Sequence, residues 1–174
     1  MVISLQEVIN GDISDLIHNS ISRFSCRDND VESFLKSKAF DFEIRNKSRT
    51  YLIIENAGLI GYFTLSMKAL QFSPDVSKNI VKSIDGFSKD SSAVGIILIG
   101  QFGKDKVLAK DIDGSKLFDI CIDVIYQAQT IVGGRFVMLE CQDIESVISF
   151  YKRKGFMFLQ YDERDKYLQM VRRL

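Results

Sequence analysis

The pattern of apolar and polar positions predicts short strands and helices that alternate along the whole 174-residue chain. The run Val2 to Val8 predicts a first strand, and residues 12–23 carry apolar side chains at helical spacing. A second helix with the same spacing is predicted to have Asp30 as its N-cap, a residue type that favours that position. β-rich runs at 49–55 and 59–70 lie on either side of a glycine-containing turn, which predicts a hairpin.

The second half of the chain predicts a longer alternation of strands and helices. Val94 to Gly103 is nearly all apolar, which is typical of a central strand covered on both faces. Further elements follow by the same spacing rules: a helix from Gly114 to about Val132, a strand from Phe136 to Leu139, a helix with Asp143 as N-cap and Gly155 as C-cap glycine, and an antiparallel pair at 156–161 and 167–171. This order of elements predicts an α/β domain with a mixed sheet.

The composition restricts the class of protein. Lysine plus arginine and aspartate plus glutamate number 23 each, so no net field draws the chain to nucleic acid or to a membrane. An apolar fraction of 46% in 174 residues fits one globular domain that covers 1–174. Apolar runs are too short to span a bilayer and the N-terminus lacks a signal-peptide pattern, so a cytoplasmic protein is expected.

The cysteines and the histidine restrict the chemistry. Cys26, Cys121 and Cys141 are an odd, widely spaced set within apolar segments. This favours buried free thiols in a reducing cytosol over a disulfide framework or a zinc site. His18 is the only histidine, which excludes a multi-histidine metal centre, so no metal site is predicted.

Two stretches carry residues suited to chemistry. Residues 104–113 form a polar loop before a helix that begins at Gly114, and free backbone N–H groups at a helix start bind anions such as phosphate. Tyr151 lies near the end of the helix that follows Asp143, where a phenol can donate a proton to a ligand. The same spacing also fits a tyrosine packed in the core, and the residues alone leave both alternatives open.

Short blocks of residues occur in a fixed order along the chain: Phe24-Ser25-Cys26 with Phe34-Leu35, Gly61 to Ser66, Leu98 to Lys104, and Phe150-Tyr151 with Gly155-Phe156. Their order and spacing resemble the GCN5-related N-acetyltransferase superfamily, and more narrowly the acetyltransferase toxins of toxin–antitoxin pairs. The resemblance covers almost the whole chain. It implies a single-domain α/β fold, with a mixed, mostly antiparallel sheet of six to seven strands flanked by about four helices.

The resemblance also implies an activity, the transfer of an acetyl group from acetyl-CoA to a primary amine by direct attack on the thioester. It assigns the cofactor contacts to the end of the central strand and the segment behind it: Phe102, Gly103, Lys104, Lys110, Asp111, Ile112, Asp113, Gly114 and Ser115. Tyr151 stands at the position of the general acid, whose phenol of pKa ~10 protonates a coenzyme A thiolate of ~8.5. Glu140 is the candidate general base, with a structural carboxylate at the strand end as the alternative.

One motif departs from the pattern of the superfamily. Its pyrophosphate motif, Gln/Arg-x-x-Gly-x-Gly/Ala, falls on Ala109, Ile112 and Gly114, so only the last glycine is present. Backbone N–H groups and the lysines of this segment can still bind a diphosphate. The departure keeps open a second hypothesis, a non-catalytic coenzyme A binding or regulatory domain of the same fold.

The sequence leaves the acceptor and the partners open. The toxin-like blocks suggest the α-amine of an aminoacyl-tRNA, while the zero net charge favours a small amine or a peptide. Lys152 to Lys154 and Arg172-Arg173 are either solvated faces or a contact for a phosphate backbone. Residues 71–93 join strands that flank the site and are expected to shape the acceptor pocket. A homodimer and an antitoxin-like partner protein are further expectations.

Overall fold

The computed structural model describes residues 1–11, 14–56, 58–162 and 167–174. The strands are β1 (Val2–Ser4), β2 (Arg49–Glu55), β3 (Gly58–Gln71), β4 (Ala93–Lys104), β5 (Phe136–Cys141), β6 (Met157–Tyr161) and β7 (Leu168–Arg173). They form one sheet in the order β1-β2-β3-β4-β5-β7-β6. β4 and β5 pair in parallel, whereas β1 with β2, β2 with β3, β5 with β7 and β6 with β7 are antiparallel. The predicted mixed, mostly antiparallel sheet is confirmed.

Helices follow the strands in the order that the sequence predicts. Those in the described residues are α1 (Leu5–Asn10), α2 (Ser14–Arg23), α3 (Asn29–Ser37), α4 (Ala39–Ile44), α5 (Lys78–Asp85), α6 (Gly114–Val132) and α7 (Glu145–Arg153). α1 and α4 have six residues each and were not predicted as separate helices. In the described part of the chain, no helix combines the length and apolar character that a membrane span requires.

By its internal contacts the chain divides into two compact units. The first unit comprises 1–66 and 100–123, and the second unit comprises 67–99 and 124–174. β3 and β4 contribute residues to both units. A single N-acetyltransferase domain over the whole chain stays a prediction.

The first unit is built on the antiparallel strands β1, β2 and β3. Ile3 pairs with Leu52, and Thr50 pairs with Thr64. Glu43 of α4 is fully buried, where it accepts hydrogen bonds from the Thr50 N–H at 2.7 Å and from the Arg49 guanidinium at 2.9 Å. A buried carboxylate with charged and backbone donors ties α4 to the start of β2. The apolar core of this unit contains Leu5, Val8, Ile17, Ile21, Phe24, Cys26, Leu35, Ala39, Leu52, Leu59 and Tyr62.

The second unit is built on β5 and its neighbours. β4 pairs with β5 from Ile97↔Val137 to Ile99↔Leu139, and β7 pairs with β5 on the other side. β6 then pairs with β7 and is the last strand of the sheet. α5 packs its Ile84 against the sheet in a core that also contains Leu70, Ile96, Phe136, Met138, Leu159 and Val171.

The predicted first strand is wrong beyond Ser4. The Ser4 side chain accepts the Glu7 N–H at 3.2 Å, and the Ser4 N–H donates to the Glu7 carboxylate at 2.8 Å. This capping box begins α1 at Leu5, because it satisfies two backbone donors that a strand end would leave free. The Ser-x-x-Glu spacing was visible in the sequence.

Two predicted N-caps are also wrong. α3 is capped by Asp28, whose carboxylate accepts the N–H groups of Asp30 and Val31 at 2.9 and 3.2 Å. α7 has Ile144 at its N-cap, with no capping hydrogen bond from a side chain. The Asp143 carboxylate accepts the Tyr161 hydroxyl at 3.3 Å instead. A partner from a distant strand has displaced the local cap.

Candidate active site

The predicted site residues belong to two different units. The cofactor-binding residues lie between Phe102 and Ser115, in the first unit. Tyr151 and Glu140, the predicted acid and base, lie in the second unit. That the two groups act together in one reaction stays a prediction.

The end of β4 packs closely against its neighbours in the first unit. A Cβ atom added at Gly103 would lie 2.8 Å from Tyr62 Cε1 and 2.9 Å from Val31 Cγ1. Tyr62 is fully buried and its hydroxyl donates to the Val31 carbonyl oxygen, so neither side chain can move away. The neighbouring Phe102 ring packs edge-on against Phe118 at a centroid distance of 5.1 Å. Glycine at 103 is therefore required by close packing.

Asp105 fixes the path of the chain directly after β4. Its side chain is buried, with 2% exposure. One carboxylate oxygen accepts the Ser25 N–H at 2.9 Å, and the other accepts the N–H groups of Val107 and Leu108 at 2.8 and 2.7 Å. Three donors compensate for the burial of the charge. Sequence reasoning missed Asp105, although an aspartate directly after a strand is a common turn residue.

Two side chains close the loop before α6. The Lys104 ammonium donates to the carbonyl oxygen of Ile112. The Asp113 carboxylate accepts the N–H of Ser115 at 2.9 Å, as an N-cap aspartate does. The loop is thereby held in one conformation next to the start of the long helix.

At the start of α6, backbone N–H groups that could bind a diphosphate lie beside the Asp113 carboxylate, which competes for them. The first N–H groups of a helix have no partner within the helix, but the Asp113 carboxylate already binds one of them. A diphosphate at the same N–H must displace that carboxylate or bind beside it. Lys110 and Asp111 are 72% and 88% exposed and 3.9 Å apart, and such a pair contributes little. The backbone of this segment fits coenzyme A, while the charge of Asp113 opposes it.

Tyr151 is held by the way in which α7 ends. Gly155 follows the helix with φ of 82°, and its N–H donates to the Lys152 carbonyl oxygen at 3.0 Å, while the Phe156 N–H donates to the Tyr151 carbonyl oxygen at 3.1 Å. These two bonds form a Schellman motif, which commonly carries an apolar contact between its two ends. Here the rings of Tyr151 and Phe156 supply that contact, 6.0 Å apart, and Phe150 adds a second ring at 5.2 Å.

The sequence therefore predicted the helix end correctly, including the glycine at Gly155. Tyr151 is half-buried in this aromatic cluster. A half-buried ring fits both alternatives, a packing role and a proton donor that reaches a ligand. The general-acid role stays a prediction.

Glu140 is engaged in a polar cluster at the end of β5. Its Oε1 atom accepts the Lys68 ammonium and the Gln169 amide, the latter at 2.8 Å. The side chains of Lys68 and Glu140 are 32% and 24% exposed. Both donors connect Glu140 to other strands, β3 and β7, which favours the structural alternative for this residue. The general-base role stays a prediction.

The three cysteines are free and buried, as predicted. Burial, helped by the charge of Asp143, raises the pKa of the Cys141 thiol to about 11. Burial also raises the pKa of Cys26 and of Cys121. These thiols are protonated at neutral pH and are poor nucleophiles, so the site does not use a thiolate from the protein.

Solved structures share the fold of the chain, whereas no protein-family model and no curated protein matches it. A structure of AtaT complexed with acetyl-methionyl-tRNAfMet has a TM-score of 0.70 and 21% identity, covering 97% of this chain and 92% of that chain. A tyrosine-to-phenylalanine mutant of KacT has a TM-score of 0.70 and 22% identity, with the same coverage of 97% and 92%. A tyrosine mutant of the AtaT toxin bound to the C-terminus of the antitoxin AtaR and acetyl-CoA has a TM-score of 0.62 and 19% identity, covering 86% and 83%. At these identities the likeness establishes the fold, and the fold expected from the sequence is confirmed.

Proposed function

We propose that the chain is an N-acetyltransferase that uses acetyl-CoA and acetylates the α-amine of an aminoacyl-tRNA. The observation that carries the proposal is a fold shared over 97% of the chain with AtaT complexed with acetyl-methionyl-tRNAfMet. The ordered sequence blocks add to it. The Schellman motif that holds Tyr151 also supports the proposal. It is formed at the residues that carry the resemblance, Phe150-Tyr151 and Gly155-Phe156.

Residues of the first unit would hold the acetyl-CoA. The N–H groups at the start of α6 suit its diphosphate, and the exposed side chains of Lys106 and Lys116 add positive charge. Close packing requires glycine at 103, so no side chain from this position covers the backbone at the end of β4. A backbone N–H at this strand end can donate to the thioester oxygen as negative charge develops on it.

Tyr151 supplies the proton in the proposed reaction. The amine nitrogen attacks the carbonyl carbon of the thioester, so that a C–N bond forms and the C–S bond breaks. The leaving thiolate takes the phenol proton of Tyr151, and the proton lost by the amine returns to the phenolate through solvent. Proton transfer of this kind typically contributes a rate factor of about 10² to 10⁴.

The distribution of charge supports an RNA acceptor. Residues 67–99 and 124–174 contain 12 lysines and arginines against 9 aspartates and glutamates, whereas residues 1–66 and 100–123 contain 11 against 14. The net charge of the whole chain is therefore zero although its second unit has an excess of basic residues. Lys152, Arg153 and Arg173 are exposed there, and Arg172 donates to the Lys154 carbonyl oxygen at 3.0 Å. This basic end of α7 and β7 suits the phosphate backbone of an RNA.

The proposal extends to the partners and the location. The structure of the AtaT mutant bound to the antitoxin AtaR supports an antitoxin-like protein as a partner of this chain. Three buried free thiols suit a reducing compartment, so we place the protein in the cytoplasm. The homodimer stays a prediction.

Transfer of radiolabelled acetyl groups to a panel of acceptors tests the proposal. The panel contains charged tRNA, uncharged tRNA, small amines and a peptide with a free N-terminus. We expect label on charged tRNA and none on uncharged tRNA, because the acceptor is the aminoacyl amine. Binding of coenzyme A without transfer to any acceptor would instead support the non-catalytic coenzyme A binding domain.

A further inference from the structure

The second unit contains a cleft of about 610 Å³. One wall is formed by residues 68–74, at the end of β3 and just beyond it. The other wall is formed by residues 160–162 and by Gln169, where β6 ends and β7 begins. The cleft is rich in amide groups, and its wall contains the cation of Lys68 and the carboxylate of Asp162. These features suit a polar ligand with oxygen acceptors.

A bulge in β6 places two glutamines side by side in this cleft. β6 pairs with β7 at Phe158↔Met170 and next at Gln160↔Gln169, so Leu159 is an extra residue in β6. Such a bulge changes the direction in which the following side chains point. Because of it, the Gln160 amide donates to the Gln169 side-chain oxygen at 2.8 Å.

Gln160 also joins the two walls of the cleft. Its amide nitrogen donates to the Gln71 carbonyl oxygen at 2.8 Å, and its amide oxygen accepts the Ser73 N–H at 2.9 Å. With the bond to Gln169, the side chain makes three hydrogen bonds. The segment after β3 is thereby fixed to β6, and the cleft has a defined width.

The hydrogen bonds that begin at Gln160 continue through Gln169 and Glu140 to the ammonium group of Lys68. Gln169, only 5% exposed, donates to Glu140 Oε1 at 2.8 Å, and Lys68 donates to the same oxygen. An ammonium group has three N–H donors, and Glu140 takes one of them. Lys68 lines the cleft and its side chain is 32% exposed, so its remaining donors are accessible to a ligand.

Because residues 71–74 of the segment expected to shape the acceptor pocket line this cleft, we infer that Lys68, held in position by Glu140, recognises the acceptor by donating to a carbonyl oxygen next to the amine that is acetylated. The chemical class that fits is an α-aminoacyl ester of a nucleotide, which carries such an oxygen three bonds from its amine nitrogen. The inference rests on the proposed function and specifies its acceptor. In it Glu140 is a positioning residue and not the base.

An alkyl diamine is a suitable comparison ligand, because it carries an amine but lacks the carbonyl oxygen that would accept from Lys68. Charge alone does not exclude a diamine, since Glu140 pairs with Lys68 and Asp162 also lines the cleft.

Titration calorimetry with a non-hydrolysable acceptor tests this inference directly. The probe is 3′-methionylamido-3′-deoxyadenosine, whose amide replaces the labile ester, and 1,4-diaminobutane is the comparison ligand. We expect Lys68→Met to weaken binding of the probe by about 10- to 100-fold, the loss expected for a hydrogen bond from a charged group. Lys68→Arg should restore part of the affinity. Lys82→Met, which changes an exposed lysine of the same unit, should have no effect.

A second variant guards against a loss of folding. Lys68→Met leaves the Glu140 carboxylate without its cation, so Lys68→Met combined with Glu140→Gln removes both charges. In transfer assays, the variants should raise the KM for charged tRNA while the KM for acetyl-CoA stays unchanged. The inference would be overturned if Lys68→Met and the double variant Lys68→Met/Glu140→Gln both bound the probe within twofold of wild type. It would also be overturned if the wild-type protein bound diaminobutane as tightly as the probe. A wild-type protein that binds the probe but transfers no acetyl group would overturn the proposed function. Weaker binding of the probe by Lys68→Met would then still show that Lys68 contacts an aminoacyl group.

Discussion

Asp113 sets the charge at the start of α6. Its carboxylate accepts the Ser115 N–H at 2.9 Å and occupies a place where the proposed diphosphate needs donors. An anion is favourable at a helix N-terminus, so the unliganded segment is stabilised by the same interaction that a ligand would use. The residue therefore opposes binding of acetyl-CoA while it stabilises the loop.

Replacing Asp113 by asparagine should increase the affinity for coenzyme A. Asparagine caps a helix about as well as aspartate, but it carries no charge to repel the diphosphate. We expect a gain of about two- to fivefold, from the ~0.3–1 kcal/mol that a charge contributes at a helix end. Titration calorimetry measures it, with Asp123→Asn as the control for an exposed carboxylate outside the cofactor segment. Unchanged or weaker binding in Asp113→Asn would contradict the role given to Asp113.

The contacts of some residues could be predicted from the sequence, whereas those of others could not. Ser4 and Glu7 form a capping box whose spacing can be recognised along the chain. Gln160 cannot be found in this way, because its direction depends on a bulge relative to β7. The Lys68–Glu140 pair joins residues 72 positions apart, and no local pattern predicts such a contact.

At the scale of elements, Gly61 of β3 and Gly103 of β4 lie where the two strands leave no room for a side chain at either position. A Cβ atom at Gly61 would lie 2.9 Å from the Gly103 carbonyl oxygen, and one at Gly103 would lie 2.8 Å from the Tyr62 ring. Both contacts are with atoms that are buried or belong to the backbone, so neither can yield at low cost. Glycine at 61 and at 103 is therefore required by strand packing.

Gly103→Ala should destabilise the fold by about 1–3 kcal/mol, as overpacked core positions do. Gly95→Ala on the same strand is the matched control, because nothing lies within 4 Å of the added Cβ. Urea denaturation at neutral pH measures both variants. Equal stability of Gly103→Ala and Gly95→Ala would contradict the close packing at the end of β4.

The connection between α2 and α3 depends on Glu32. Its carboxylate accepts the Lys36 ammonium at 2.7 Å, the Ser25 hydroxyl at 2.9 Å and the Cys26 N–H at 3.0 Å. Lys36, followed by the other two donors, lowers the pKa of Glu32 to about 2 from 4.5. A carboxylate with a lowered pKa stabilises the fold above its unfolded pKa and loses this contribution as the pH falls.

Glu32→Gln should therefore destabilise the protein at pH 7 and have a progressively smaller effect between pH 4.5 and about 2. The two proteins should converge in stability at the acid end, because wild-type Glu32 is then protonated as well. Lys36→Met should shift this window to higher pH, since it removes the largest cause of the lowered pKa. The free energy of unfolding at several pH values tests this. A constant difference between wild type and Glu32→Gln at every pH would rule it out.

At the scale of the whole molecule, the balance of charge is uneven along the chain. The second unit has an excess of 3 basic residues, 12 against 9, and the first unit has the opposite excess, 11 against 14. A summed charge of zero therefore does not argue against an RNA ligand. The position of the basic residues matters more than their total.

Lys152, Arg153 and Arg173 should contribute to tRNA binding through phosphate contacts. Changing all three to glutamine should weaken binding of tRNA and lower the slope of log affinity against log salt concentration by about 1 per contact. The matched control changes the exposed residues Arg23, Lys38 and Lys47 of the first unit to glutamine. Filter binding at several salt concentrations measures both. The same slope in wild type and in the variant of the second unit would exclude the phosphate contact.

The fold was predictable from the sequence because its periodic elements are long. β4 and α6 lie almost where the apolar pattern predicts them, and Gly155 ends α7 as expected. The cofactor segment and Tyr151 came from the resemblance and not from periodicity. The polar network of the cleft was beyond prediction, because it links β3, β5, β6 and β7 across the sheet.

Acetyl transfer by Tyr151→Phe is the most direct test of the proposed enzyme. Phenylalanine keeps the ring contacts with Phe150 and Phe156 and removes only the hydroxyl. In single-turnover transfer from acetyl-CoA to aminoacyl-tRNA, we predict a rate lower by about 10²- to 10⁴-fold, with unchanged affinity for coenzyme A. Tyr126→Phe, which removes a hydroxyl that accepts from Arg172, should transfer at the wild-type rate. A Tyr151→Phe protein that transfers as fast as wild type would contradict the account.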